Sequence, residues 1–131
     1  MTSHDLPVTD EFIRTVRTLP DSVNSLMSEL RCLDEIDGIF CATDDLAALC
    51  MRSLQMLGKS IPQDIAVIGF NNIPLADQIT PSLSSVQWPI EAQATVAIDL
   101  LLKILKKEIP YEPGFHKIET ELVIRESTAM R

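Results

Sequence analysis

At 131 residues, 46% of them hydrophobic and 23% charged, the chain has the size and apolar content of one domain with a buried core. Nineteen acidic against eleven basic residues give a net charge of −8, which argues against a surface that grips nucleic acid through clustered Lys and Arg. No stretch reaches the roughly 18 uninterrupted apolar residues of a membrane helix, and Met1-Thr2-Ser3-His4-Asp5 lacks the basic-then-apolar pattern of an export signal, so a cytoplasmic location is expected.

Residues 1–19 start irregularly, with one short helix predicted over 10–17, where Thr9 can cap and Phe12, Ile13 and Val16 share a face. From the N-cap candidate Asp21, the recurrence of Val23, Leu26, Met27, Leu30 and Leu33 predicts a second helix, stopped by Asp37-Gly38. Gly38 to Ala42 then reads as a buried strand that breaks into Thr43, Asp44 and Asp45 and feeds a helix over about 45–57. That helix presents Leu46, Leu49, Cys50 and Leu54, and ends at Gly58, a residue suited to a left-handed cap.

Ile65 to Phe70 is a continuous apolar run, as expected of a parallel strand covered on both faces. Residues 71–82 carry no apolar periodicity and contain Pro74 and Pro81, so they read as a loop before a short strand over 83–87. Pro89 opens a long helix predicted to about Lys107, with Ile90, Val96, Ala97, Leu100, Leu101 and Leu105 inward. Lys103, Lys106 and Lys107 complement its carboxyl end. After a turn-rich connection, the alternation of Ile118, Thr120, Leu122 and Ile124 predicts an edge or terminal strand over 117–125. The pattern is an α/β fold, with a mostly parallel sheet between flanking helices in three layers.

Four segments in one order carry a family likeness: Ile39-Phe40-Cys41-Ala42-x-Asp44, Leu57-Gly58-x-x-Ile61-Pro62-x-Asp64-Ile65-Ala66-Val67-Ile68-Gly69-Phe70, Thr80-Pro81-x-Leu83-Ser84-Ser85-Val86, and Leu122-Val123-Ile124-Arg125-Glu126-Ser127-Thr128. Together they resemble the effector-binding domain of the LacI/GalR family of bacterial transcriptional regulators, whose ligand domain has the periplasmic-binding-protein fold. The resemblance covers residues 20–131 and only the C-terminal half of that domain; residues 1–19 match poorly. It implies a small-molecule effector of sugar or nucleobase type, a homodimer, and operator DNA bound only through a helix-turn-helix domain that this sequence does not contain. It also implies that the segment like 84–107 crosses to pack with a first lobe; without that lobe, the helix from Pro89 is expected to fold back on its own domain or to exchange with a second copy.

In open α/β sheets ligands bind beyond the carboxyl ends of the strands, so the polar strand ends are the candidate site. Thr43 or Asp44 reads as a helix cap, which is compatible with ligand binding because a capped carboxylate retains a second oxygen. The resemblance places this strand end beside the effector, with Asn frequent where Thr43 stands. Asn71 occupies a position where sugar- or nucleobase-binding members often carry a ligand-reaching Asp; an uncharged amide holds a neutral hydroxyl less strongly, and Asn71-Asn72 also suits a simple turn. Trp88, the only tryptophan, lies in the segment that crosses between lobes and suits either stacking on a sugar face or packing on a helix. Arg125 reads as an ion-pairing or carbonyl-bonding framework residue.

Cys32, Cys41 and Cys50 form no Cys-x-x-Cys pair and read as buried thiols, while His4 and His116 offer no metal-ligand spacing; no metal or cofactor is expected. The sequence has no nucleophile elbow, phosphate-cradling loop or paired Cys and His, so an enzyme is not expected. The reading is therefore the effector-sensing, dimerising part of a transcriptional regulator, with a stand-alone ligand-binding or interaction module as the alternative.

Overall fold

The computed structural model describes residues 36–128 continuously, together with Ile13, Thr15, Leu26 and Ser28. Most of the two N-terminal predicted helices therefore lies outside the described residues. Leu26 and Ser28 are helical as expected, and Leu26 is buried in the core. Ile13 and Thr15 are not helical, and Ile13 is exposed, so the apolar face read for 10–17 is not buried at that position.

The four strands β1 (Gly38–Phe40), β2 (Ala66–Asn71), β3 (Ser84–Gln87) and β4 (Glu121–Val123) form one sheet in the order β1-β2-β3-β4. The first three are parallel, with Phe40 opposite Ile68 and Asn71 opposite Gln87. β4 joins the edge antiparallel, with Val86 opposite Leu122. The parallel register brings the carboxyl ends of β1, β2 and β3 to one side of the sheet, which is what makes a shared site there possible.

Helix α1 (Asp44–Met56) starts where Thr43, in extended conformation, accepts a hydrogen bond on its hydroxyl from the Leu46 N–H at 3.2 Å. Thr43, not Asp44, is the capping side chain, and Asp44 and Asp45 occupy the first turn, where the helix dipole favours negative charge. Ala47, Cys50, Met51 and Leu54 recur at helical spacing and are all buried. The helix closes as a Schellman motif, with Lys59 N–H on the Leu54 carbonyl, Gly58 N–H on that of Gln55, and Gly58 at φ +78°. The core lies between α1 and the sheet, where Val67 and Leu83 from the strands meet the α1 residues.

Three expectations are corrected. Residues 71–82 are not wholly loop: a single turn of helix, α2 (Leu75–Gln78), buries Ala76 completely, and four residues are too few for a periodic pattern to show. The predicted strand over 117–125 shrinks to three residues, because only these pair with β3, and Leu122 and Ile124 remain exposed. Most importantly, α3 (Ile90–Leu105) forms at the predicted place but buries nothing: Ile98, Leu101, Leu102 and Leu105 are 47–68% exposed. It does not fold back on its own domain. The residues of its apolar stripe, read as inward, have no surface to lie on among the described elements. Among the described residues, no helix is long and apolar enough to cross a membrane.

Candidate functional site at the strand tips

The site is built from the residues that follow β1, β2 and β3. Asn71 ends β2 opposite Gln87, and Trp88 follows directly from β3. The β1 tip leads through Cys41, whose N–H bonds the Ile68 carbonyl at 2.8 Å, to Thr43 and Asp44. Three of the predicted residues, Thr43, Asn71 and Trp88, are at least partly accessible at this end of the sheet.

Asp44 is 1% exposed, and both its oxygens point inward. Oδ1 accepts from the Ser85 hydroxyl at 2.6 Å, and Oδ2 accepts from the Ile73 backbone N–H at 2.8 Å. One carboxyl group thus ties the start of α1 to β3 and to the loop after β2. It acts as a strut under the site. Gly69 makes the strut possible: a Cβ there would run into Asp44 Oδ1, 2.9 Å from Leu83 Cδ2 and 3.3 Å from Asp44 Cα.

Asn71 and Asn72 both have positive φ, +108° and +51°. Asn72 is fully engaged within the protein. Its N–H meets the Ser85 hydroxyl at 3.0 Å, its side-chain N–H meets Gln87 Oε1, and its Oδ1 accepts from Arg125 Nη2 at 2.8 Å. Asn71 differs, because its Oδ1 is buried with no hydrogen-bond partner. A buried acceptor left unpaired costs on the order of 1–3 kcal/mol, and a non-glycine residue at such a φ costs a similar amount. Both costs fall on the residue that ends β2.

Arg125 holds this arrangement from outside, donating from Nη1 to the Leu83 carbonyl at 2.7 Å as well as to Asn72, with Asp77 3.6 Å from Nε. The framework role read from sequence is what it performs. The turn after it, Glu126–Thr128, fastens the sheet: the Ser127 hydroxyl donates to the Val67 carbonyl at 2.6 Å and accepts from Ser84 N–H at 2.8 Å. Glu126 accepts from the Ser82 N–H and hydroxyl, which hold its carboxyl below the usual carboxylate range. Trp88 donates its indole N–H to Gln93 Oε1 at 2.8 Å and keeps 39% of its surface exposed, so its ring is neither packed in the core nor free to reorient without losing that bond.

Sequence reasoning missed Ser85, Gln87 and Gly69. For Gly69 a signal existed, since a glycine inside an apolar strand marks a close approach of another group. A separate groove of about 690 Å³ lies between α1 and α2, lined by residues including Ala48, Leu49, Arg52, Leu75 and Ile79, and contains none of the predicted site residues. The described residues hold no cluster of His, Cys, Asp and Glu able to bind a metal, and Cys41 and Cys50 are buried free thiols, as read.

The profile of a family described as a periplasmic binding protein-like domain matches residues 4–128. The ribose operon repressor of Halalkalibacterium halodurans is 42% identical over 93 residues, covering 71% of this chain and 28% of that protein. A transcriptional regulator of the LacI family from Sanguibacter keddieii superposes with a TM-score of 0.81 at 30% identity, over 98% of this chain and 48% of the other. The transcriptional regulator CelR in complex with cellobiose gives 0.81 at 28% identity, over 96% and 38%. These relatives are regulators of transcription and not enzymes, and this chain spans less than half the length of each.

Proposed function

We propose, from the premise that this chain belongs to the periplasmic binding protein-like domain family as part of a LacI/GalR-type effector-binding domain, that it is the C-terminal, effector-sensing half of a cytoplasmic regulator and binds a neutral, hydroxyl-rich ligand at the tips of β1–β3. The observation that carries this is Asn71. A buried acceptor without a partner, on a strained backbone at a strand tip, is relieved when the Asn71 side chain turns outward to a ligand that donates a hydrogen bond to it. Trp88 offers a ring face nearby, the Thr43 hydroxyl lines the opposite tip, and the Asp44 strut holds the tips together. A relative named for the ribose operon and a neighbour bound to cellobiose support a sugar over a nucleobase.

The test is thermal unfolding against monosaccharides, disaccharides, nucleosides and purines at millimolar concentration. A ligand at 100 times its Kd stabilises by about 2.7 kcal/mol, so one sugar class is expected to raise the midpoint by several degrees. Asn71→Ala should remove that shift. A response only to purines would move the ligand class, and a shift unchanged in Asn71→Ala would overturn the site.

The unburied stripe of α3 carries the second part of the proposal. In the whole regulator it packs against the first lobe; in the isolated chain it is covered by a second copy. Sedimentation at micromolar concentration is expected to show a dimer that Leu101→Glu converts to monomer. A monomeric unaltered chain would rule the exchange out. Operator binding belongs to residues outside this chain, consistent with its charge of −8.

A further inference from the structure

Trp88 is the only tryptophan of the chain and the first residue beyond β3, next to Gln87, which stands opposite Asn71 in the register. Its indole has a single N–H donor and no acceptor, and that donor is spent on Gln93 Oε1 at 2.8 Å. Gln93 lies in the first turn of α3, with its own N–H on the Pro89 carbonyl at 2.9 Å. We infer that Gln93 is a positioning residue for ligand binding: its side-chain oxygen fixes the indole of Trp88 at the rim of the strand tips, so that the ring is set before a ligand arrives. This inference rests on the function proposed above for the same site.

The grip works because it adds a second fixed point. An exposed side chain hops among staggered rotamers on the picosecond-to-nanosecond scale. Holding Nε1 as well as Cβ removes that freedom, because the ring is rigid and planar. The backbone beneath is held too: the Trp88 carbonyl accepts from the Ile90 N–H at 2.9 Å, and the Pro89 ring fixes the intervening φ at −81°. Both restraints come from the start of α3, so the indole is fastened to that helix as well as to the end of β3.

Fixing the ring matters for affinity and not for stability. The bond between Trp88 and Gln93 is exposed, so water replaces either partner at little net cost when it breaks. Freezing a mobile side chain on binding is different: it weakens affinity about three- to tenfold, a loss that a ring already in place avoids. A preset indole face also narrows the ligand class. The ring favours the apolar C–H face of a saturated ring, while Asn71 at the neighbouring tip takes a hydroxyl donor. A cyclic sugar with hydroxyls on its edge satisfies both.

The sole tryptophan serves as its own probe in the intact chain. Gln93→Ala, at an exposed helical position that suits alanine, is expected to lower the anisotropy of Trp88 emission and raise its quenching by acrylamide, with the thermal midpoint unchanged. Gln93→Glu keeps an acceptor oxygen at the same reach and should restore both signals. Calorimetric titration uses ribose, cellobiose and any other sugar that raises the thermal midpoint. Gln93→Ala should bind about three- to tenfold more weakly than the unaltered chain, with Gln93→Glu close to it. In a Trp88→Leu background, Gln93→Ala should add no further loss. Unchanged anisotropy and quenching in Gln93→Ala, unaltered affinity with the ring freed, or an equal loss without Trp88 would each overturn the inference. If no sugar binds the unaltered chain, the function proposed above fails and the ligand step falls with it. The fluorescence readouts need no ligand, so they still decide whether Gln93 holds the ring.

Discussion

Gly69→Ala is expected to lower the unfolding free energy by about 3 kcal/mol, at the upper end of what overpacking costs. The position is buried in β2, and its backbone demands no unusual φ, so the effect is purely steric. The added methyl meets Asp44 Oδ1, Leu83 Cδ2 and the Asp44 Cα. A rotamer change cannot relieve all three, because Leu83 is fully buried and the Asp44 Cα belongs to the backbone of α1. The sheet and helix must separate, in an interior already packed to crystal-like density. Urea unfolding monitored by circular dichroism measures the loss. Combining the change with Asp44→Ala removes the tightest contact, so the double variant should be more stable than the sum of the single effects predicts, by about 1 kcal/mol or more. Strict additivity would show that the methyl is accommodated elsewhere.

Asp44→Ala is the second large effect, expected to cost about 3 kcal/mol. It leaves the Ile73 N–H and the Ser85 hydroxyl without their acceptor and opens space between α1 and the sheet. Asp44→Asn separates the two bonds. Its amide oxygen can still accept from Ile73, while the Ser85 hydroxyl can turn to accept from the new N–H, so a cost of about 1 kcal/mol is expected. The two variants together distinguish hydrogen bonding from filled volume; equal losses would mean that the charge, and not the geometry, is what α1 requires. Ligand response should follow the same order, because Asp44 positions the loop that begins at Asn71.

How much of this was legible depended on sequence distance. The β1–α1–β2 succession, the Gly58 cap and the mostly parallel sheet were readable, because each rests on local pattern: an apolar run, a capping residue, a glycine in the left-handed region. Asn71, Thr43 and Trp88 could be named as candidates because strand ends are where α/β sheets place their ligands. What Asp44 does could not be read, since its partner Ser85 is 41 residues away and Ile73 contributes only backbone. Nor could the state of α3. An apolar stripe says that a helix is made to be covered, but no local pattern says by what, and Leu101 and Leu105 are exposed.

The antiparallel pairing of β3 with β4 gives that helix a mechanical role. Residues 88–120 leave the sheet at Gln87 and return to it at Glu121, and these two residues sit side by side in the register. The excursion is therefore an arm whose two ends are bolted to neighbouring points, with Ser127 and Arg125 locking the returning end to Val67, Ser84 and Leu83. Among the described residues, the arm joins the sheet at those two points. One of them is Gln87, whose side chain holds Asn72 and whose next residue is Trp88. A torque on the arm thus reaches the sheet at Gln87, beside Asn72, and at Glu121, beside the contacts of Arg125 and Ser127.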